Sequence, residues 1–183
     1  MRDSVCAERT LTPVLSRQSA SDTGLCLHQP LDSLVRVSRP VLHRPGQGEL
    51  IQAGGASSVS IKADASATAA SLYLGEVSLE PGYPGPPPHI HERLHDMFYV
   101  LEGTLTFRLE DREEELAAGS FACIPPGTVH TFANRSEDVV RFLNFNTPSG
   151  WENYMRDLGA AFARGGQPRP RRLDASPLDT TFG

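Results

Sequence analysis

The sequence predicts an all-β fold: a sandwich or barrel of short antiparallel strands, closed by one C-terminal amphipathic helix. Three observations carry this reading. Short apolar runs recur between Val35 and Phe145, turn residues separate them, and a single stretch with helical periodicity follows.

Taken in order, residues 1–34 are polar and aperiodic, and are expected to form a flexible arm or an arm lying on a partner subunit. The runs then follow as VRVSRPVL (35–42), SSVSIKA (57–63), ATAASLYLGEVSL (67–79), HIH (89–91), MFYVLE (97–102), TLTFRLE (104–110), EELAA (114–118), SFACIP (120–125), VHTFANR (129–135) and VVRFLNF (139–145). Between them stand PGQG, GG, EPGYPGPPP, EG, EDRE, AGS, PPG and RSED, all rich in residues that favour turns. The segment from Met97 to Gly127 reads as successive antiparallel hairpins. Met97 to Leu101 is apolar on both faces, as suits a strand buried between two sheets. In WENYMRDLGAAFARGG (151–166), Trp151, Met155, Leu158 and Phe162 share a helical face that Tyr154 and Ala161 widen. Ser149 or Gly150 is expected to cap its start, and Gly165-Gly166 to stop it. The helix closes the barrel or lines a dimer contact. The Pro- and Arg-rich stretch 167–183 reads as a mobile tail. One domain, 35–166, carries the fold.

Composition narrows the function classes. A net charge of −5, with no basic run longer than Arg171-Arg172, argues against a nucleic-acid partner. No apolar stretch approaches the length needed to span a membrane, and the first residues lack a continuous apolar leader. Cys6, Cys26 and Cys123 are odd in number and form no CxxC, which points to a reducing cytoplasm without a disulfide framework. Lys62 is the single lysine against sixteen arginines, a bias typical of a GC-rich bacterial genome.

Two stretches carry chemistry. In GPPPHIHERLHDMFYVLEG (85–103), His89 and His91 stand two apart, so on an extended segment both imidazoles point to one face. Buried neutral imidazoles need partners for both ring nitrogens, and a metal supplies one. In GSFACIPPGTVHTFAN (119–134), the turn Pro125-Pro126-Gly127 precedes His130 at a strand start. Across 95–101, alternation puts Asp96, Phe98 and Val100 on one face and His95, Met97, Tyr99 and Leu101 on the other. Only one of Asp96 and His95 can therefore face a common centre without a bulge. Phe98 and Phe132 share the inward parity and are candidates for an aromatic pocket, or for plain core. Cys123, in FACIP, reads as an inert core thiol. Asn134 is expected to bond backbone at a strand end, and EDREEE (110–115) to form a solvated hairpin tip.

Together these stretches resemble the two motifs of the cupin superfamily, G(X)5HXH(X)3–4E(X)6G and G(X)5PXG(X)2H(X)3N. The second fits at Gly119, Pro125, Gly127, His130 and Asn134. The first fits His89, His91 and Gly103, with Gly82 nearer than Gly85 to the opening glycine's place. It departs at the acid, where Asp96 replaces glutamate; the family also tolerates a ligand one residue earlier, where His95 stands. The resemblance implies a jelly-roll barrel (double-stranded β-helix) holding one divalent transition metal, Fe, Ni, Mn, Co or Zn. The implied ligands are His89, His91, His130 and Asp96, with His95 the rival to Asp96. The run of blocks, with NTPSGWENYMRDL behind them, looks most like quercetinase-type dioxygenases. That implies an enolic or phenolic aromatic substrate, dioxygen as co-substrate, and Asp96 as the base that takes the substrate's hydroxyl proton. A redox-neutral polyketide cyclase or isomerase on the same site, or a ligand-binding cupin without turnover, are the alternatives. The resemblance also allows a homodimer.

Overall fold

In a computed structural model of the chain, the structure describes residues 40–165. The arm at 1–34 and the tail at 167–183 lie outside the described residues. Nine strands and two helices follow in order: β1 (Glu49–Gln52), β2 (Ser57–Ala63), α1 (Ala65–Thr68), β3 (Tyr73–Leu79), β4 (His95–Glu102), β5 (Thr104–Leu109), β6 (Arg112–Ala117), β7 (Phe121–Ile124), β8 (His130–Ala133), β9 (Val140–Thr147) and α2 (Trp151–Ala163). A six-stranded sheet runs β1-β2-β3-β9-β4-β7, and a three-stranded sheet runs β6-β5-β8, all pairs antiparallel. The two sheets enclose a core of Val59, Val77, Phe98, Val100, Leu105, Phe107, Val140 and Phe142. This is the expected all-β jelly-roll architecture with its closing helix.

The strands that build the interior alternate strictly. In β3 and β9, every second residue is buried (Tyr73, Gly75, Val77 and Leu79; Val140, Phe142, Asn144 and Asn146). The central strand β4 buries Asp96, Phe98 and Val100 and turns His95, Tyr99 and Leu101 outward, which is the parity read from the sequence.

Four sequence expectations need correction. Of VRVSRPVL, residues 40–42 form no strand, and the first strand among the described residues is ELIQ at β1, which buries only Ile51 and so shows no alternation to read. The run 67–79 is not one strand: Asp64 caps the short helix α1, and Ala69 and Ala70 at positive φ end it before β3 starts at Tyr73. The acidic run is only partly a tip, because Arg112–Glu115 are already in β6. Cys123 is exposed. It shares the outward parity of Phe121 on β7, so its apolar neighbours in sequence do not enclose it.

Helix α2 buries Met155 against the core, with Trp151, Tyr154 and Leu158 beside it. Gly150 is its N-cap without a side-chain cap. The buried Glu152 does that work, its Oε2 accepting from the Gly150 N–H at 2.8 Å and its Oε1 from the Ala65 N–H at 3.0 Å. One carboxylate thereby satisfies free amides at the starts of both helices. Arg156 ties α2 to Glu49 of β1 and to Asp64.

Candidate metal centre

The HIH segment is not a strand, yet it is fixed as firmly as one. His89 and His130 exchange backbone hydrogen bonds at 3.0 and 2.9 Å, and the Gly127 N–H donates to the His91 carbonyl at 2.8 Å. The proline-rich approach lies against β8, where Thr131 Oγ1 donates to the Pro86 carbonyl at 2.6 Å. Gly85, at φ +84°, is required there: any Cβ would overlap the Phe132 carbonyl. The Pro-Pro-Gly turn and the HIH segment therefore hold each other, and each places a histidine inside the barrel.

His91, Asp96 and His130 are buried, and His89 is only partly exposed. One potential ligand atom from each of these four residues lies within 4.8 Å of all the others. The imidazole centroids are 5.1 Å (His89–His91), 4.5 Å (His89–His130) and 5.2 Å (His91–His130) apart. Asp96 Oδ2 is 3.3 Å from His130 Nε2 and 3.4 Å from His91 Nε2. His95 is exposed on the opposite face of β4.

Hydrogen bonding fixes which ring nitrogen faces the centre. His89 Nδ1 donates to the Pro87 carbonyl at 2.9 Å and His130 Nδ1 to the Thr128 carbonyl at 3.0 Å, since a carbonyl oxygen can only accept. In the neutral rings, each Nε2 then bears a lone pair. Burial pushes the His89 imidazole down to about 4, so it is neutral at physiological pH. Burial alone would raise the pKa of Asp96, but hydrogen bonds from His130, His91 and Asn144 outweigh it and hold the carboxyl below its ordinary value. Imidazole nitrogens thus converge on a carboxylate oxygen at 3.3–3.4 Å. A shared proton or a metal ion between them satisfies such a cluster, and three imidazoles with one carboxylate suit a divalent transition metal.

The other carboxylate oxygen is held from behind. Asp96 Oδ1 accepts from Asn144 Nδ2 and Asn146 Nδ2, each at 2.6 Å. Both asparagines lie on β9, where Asn146 is the register partner of Asp96 and Asn144 that of Phe98. Sequence reasoning missed them. The available signal was their i, i+2 spacing, which gives them the inward parity of Phe142 within one apolar strand. We expect Asn144→Leu to cost about 1.5–3 kcal/mol in denaturant unfolding, by removing a buried bond to a charged oxygen. Metal affinity, measured by competition with a chelator, is expected to fall roughly 10–100-fold.

Asp96 and His89 open on a cavity of about 510 Å³, whose walls include Phe98, Phe132, Phe142, Trp151 and Tyr154. Phe98 and Phe132 therefore line the pocket. Phe98 also belongs to the core, with ring contacts to Phe107, Phe132 and Phe142. Asn134 holds the end of β8 as expected, its amide donating to the carbonyls of Leu79, Glu80 and Asp138.

The chain is similar to known proteins over its β region. Residues 75–146 match the Cupin domain family model. A quercetin 2,3-dioxygenase of Bacillus subtilis is 32% identical over 114 residues, 61% of this chain; the match spans 32% of that protein's length. Among solved structures, the polyketide cyclase RemF from Streptomyces resistomycificus superposes with a TM-score of 0.52 at 26% identity, over 61% of this chain and 80% of its own. An RmlC-like cupin from Shewanella frigidimarina gives 0.54 at 18% identity, over 64% and 98%, and bears on the fold alone. No helix among the described residues is long and apolar enough to cross a membrane. The two antiparallel sheets, the family-model match over residues 75–146 and the likeness to a quercetin dioxygenase together make this chain similar to cupins across its β region.

Proposed function

We propose that the chain is a metal-dependent dioxygenase of an enolic or phenolic aromatic small molecule, with His89, His91, His130 and Asp96 as the metal's ligands. The observation that carries this reading is the convergence of one ligand atom each from His89, His91, Asp96 and His130 at the wall of an aromatic cavity. The 32% identity to a quercetin 2,3-dioxygenase supports the reaction class. Bound there, a divalent metal would act as a Lewis acid toward the substrate's hydroxyl oxygen and, if redox-active, would serve oxygen chemistry.

The chain's own residues do the rest. Phe98, Phe132 and Phe142 bind a planar ring and keep water from it. Asp96 Oδ2 takes the hydroxyl proton, while Asn144 and Asn146 hold the carboxylate's orientation through Oδ1. His89 and His130 are kept in one tautomer by the carbonyls of Pro87 and Thr128.

The likeness to the polyketide cyclase RemF favours a second reading, a redox-neutral cyclase or isomerase using the same proton transfer. Oxygen uptake decides between them. With protein of known metal content, quercetin or a polyketide phenol is expected to be consumed together with dioxygen. Conversion of the phenol without oxygen uptake would establish the cyclase reading, and conversion of neither would sink both.

A further inference from the structure

Tyr73 is fully buried at the start of β3 and lines the same cavity as Asp96 and His89. Its hydroxyl has no hydrogen-bond partner among the described residues. The ring lies along the strand over Gly75, where any Cβ would overlap that hydroxyl, so the glycine makes the space that the phenol fills. A buried hydroxyl without a partner is unfavourable and uncommon in folded proteins. Burial, with Glu152 and Asp96 adding to it, pushes the phenol's pKa up, so the group stays protonated and can donate.

The register locates it. Gly75 pairs with Asn144 on β9, and Asn144 with Phe98 on β4. Gly75, beneath the Tyr73 hydroxyl, is therefore two strands from the strand carrying Asp96, about 10 Å between the two backbones at the usual strand spacing. Phe98, Phe142 and Trp151 are among the walls of the cavity that holds both groups.

We propose that Tyr73 is a second anchor for the substrate, donating a hydrogen bond to an oxygen at the end of a rigid multi-ring phenol remote from the hydroxyl that meets Asp96. This rests on the aromatic-substrate reading above and deepens it. A single-ring phenol, or one bearing oxygen at one end only, would reach Asp96 and leave Tyr73 unpartnered. Tyr73 would thus set specificity by the position of a distant oxygen and take no part in the chemistry.

The test is a ligand-by-variant cycle on the metal-loaded full chain, read by quenching of Trp151, the single tryptophan, which lines the cavity. The probes are quercetin, hydroxylated at both ends, and 3-hydroxyflavone, which keeps only the enolic hydroxyl. For Tyr73→Phe the melting temperature is expected to stay level or rise, because the lost hydroxyl had no partner. Affinity for quercetin is expected to fall about tenfold, and that for 3-hydroxyflavone to change less than about twofold. Equal effects on the two probes, or none, would overturn the role of Tyr73 and leave the aromatic-substrate reading standing. A clear fall in melting temperature would show that the hydroxyl serves the fold, and would also overturn it. No quenching by either probe would sink both ideas. Selective binding without oxygen uptake would preserve the anchor and discard the dioxygenase.

Discussion

Asp96→Asn is expected to lower turnover of the metal-loaded protein by about 10²–10⁴-fold, the range lost with a positioned general base. That corresponds to roughly 2.7–5.5 kcal/mol of barrier. Asparagine is the right replacement because the surroundings of position 96 are asymmetric. Oδ1 accepts from Asn144 and Asn146, and an amide oxygen can accept both bonds, so the fold keeps its buried pairs. Oδ2 faces His91 and His130. There, an amide can donate to an imidazole lone pair, a bond the carboxylate makes only when the ring carries the proton. The metal-free variant is therefore expected to be as stable as the parent or more so, while its metal affinity falls. Asp96→Ala would confuse these effects by stranding two buried amides. Turnover and elemental analysis on the same preparation separate loss of the base from loss of the ion. His95→Ala is the matched control: the residue is exposed on the other face of β4, and its loss is expected to change turnover by less than about twofold. If the His95 variant lost metal and the Asp96 variant kept full turnover, the proton-transfer role would be discarded.

That pair of variants also marks where the sequence was sufficient. Strand alternation alone put Asp96 with Phe98 and Val100, because β4 keeps an unbroken register with β9 from His95 to Val100. The two motif turns were readable because proline and glycine specify backbone locally. Legibility ended where the deciding contact was non-local. Asn144 within VVRFLNF and Asn146 just after it carry no local mark of a role, and the β4–β9 register sets them behind Asp96. Glu152 stands in a helix's first turn, where a carboxylate is ordinarily solvated, and it is buried beside Ala65, 87 residues away. β1 was invisible because one buried side chain in four gives no period. Cys123 departs from expectation for the opposite reason: FACIP is apolar along the sequence, but an edge strand such as β7 shows one face to solvent.

Phe142→Ala is expected to be the most destabilising single substitution proposed here, at about 3–5 kcal/mol. The ring is fully buried on β9, between β3 and β4 in the sheet, with centroids 5.6 Å from Phe98 and 5.5 Å from Phe132. Its removal takes away the transfer energy of a large side chain and two aromatic contacts, each worth about 0.5–1.5 kcal/mol beyond area. The site also cannot heal. Phe142 already lines the 510 Å³ cavity, so the vacated volume joins an existing space and no neighbour need collapse into it. For a domain of this size the melting temperature should drop by roughly 10–20 °C. Denaturant unfolding at fixed metal content gives the comparison, because a bound ion adds its own stabilisation through linkage. Phe121→Ala supplies the contrast: that ring is 58% exposed on β7, and its loss should shift stability by no more than about 0.5 kcal/mol. Because the same ring is both floor of the cavity and filler of the core, the truncation should also weaken Trp151-detected binding of quercetin. A loss below about 1.5 kcal/mol would mean that Phe142 does not bridge cavity and core, and that the aromatic wall opposite the histidines is built from other side chains.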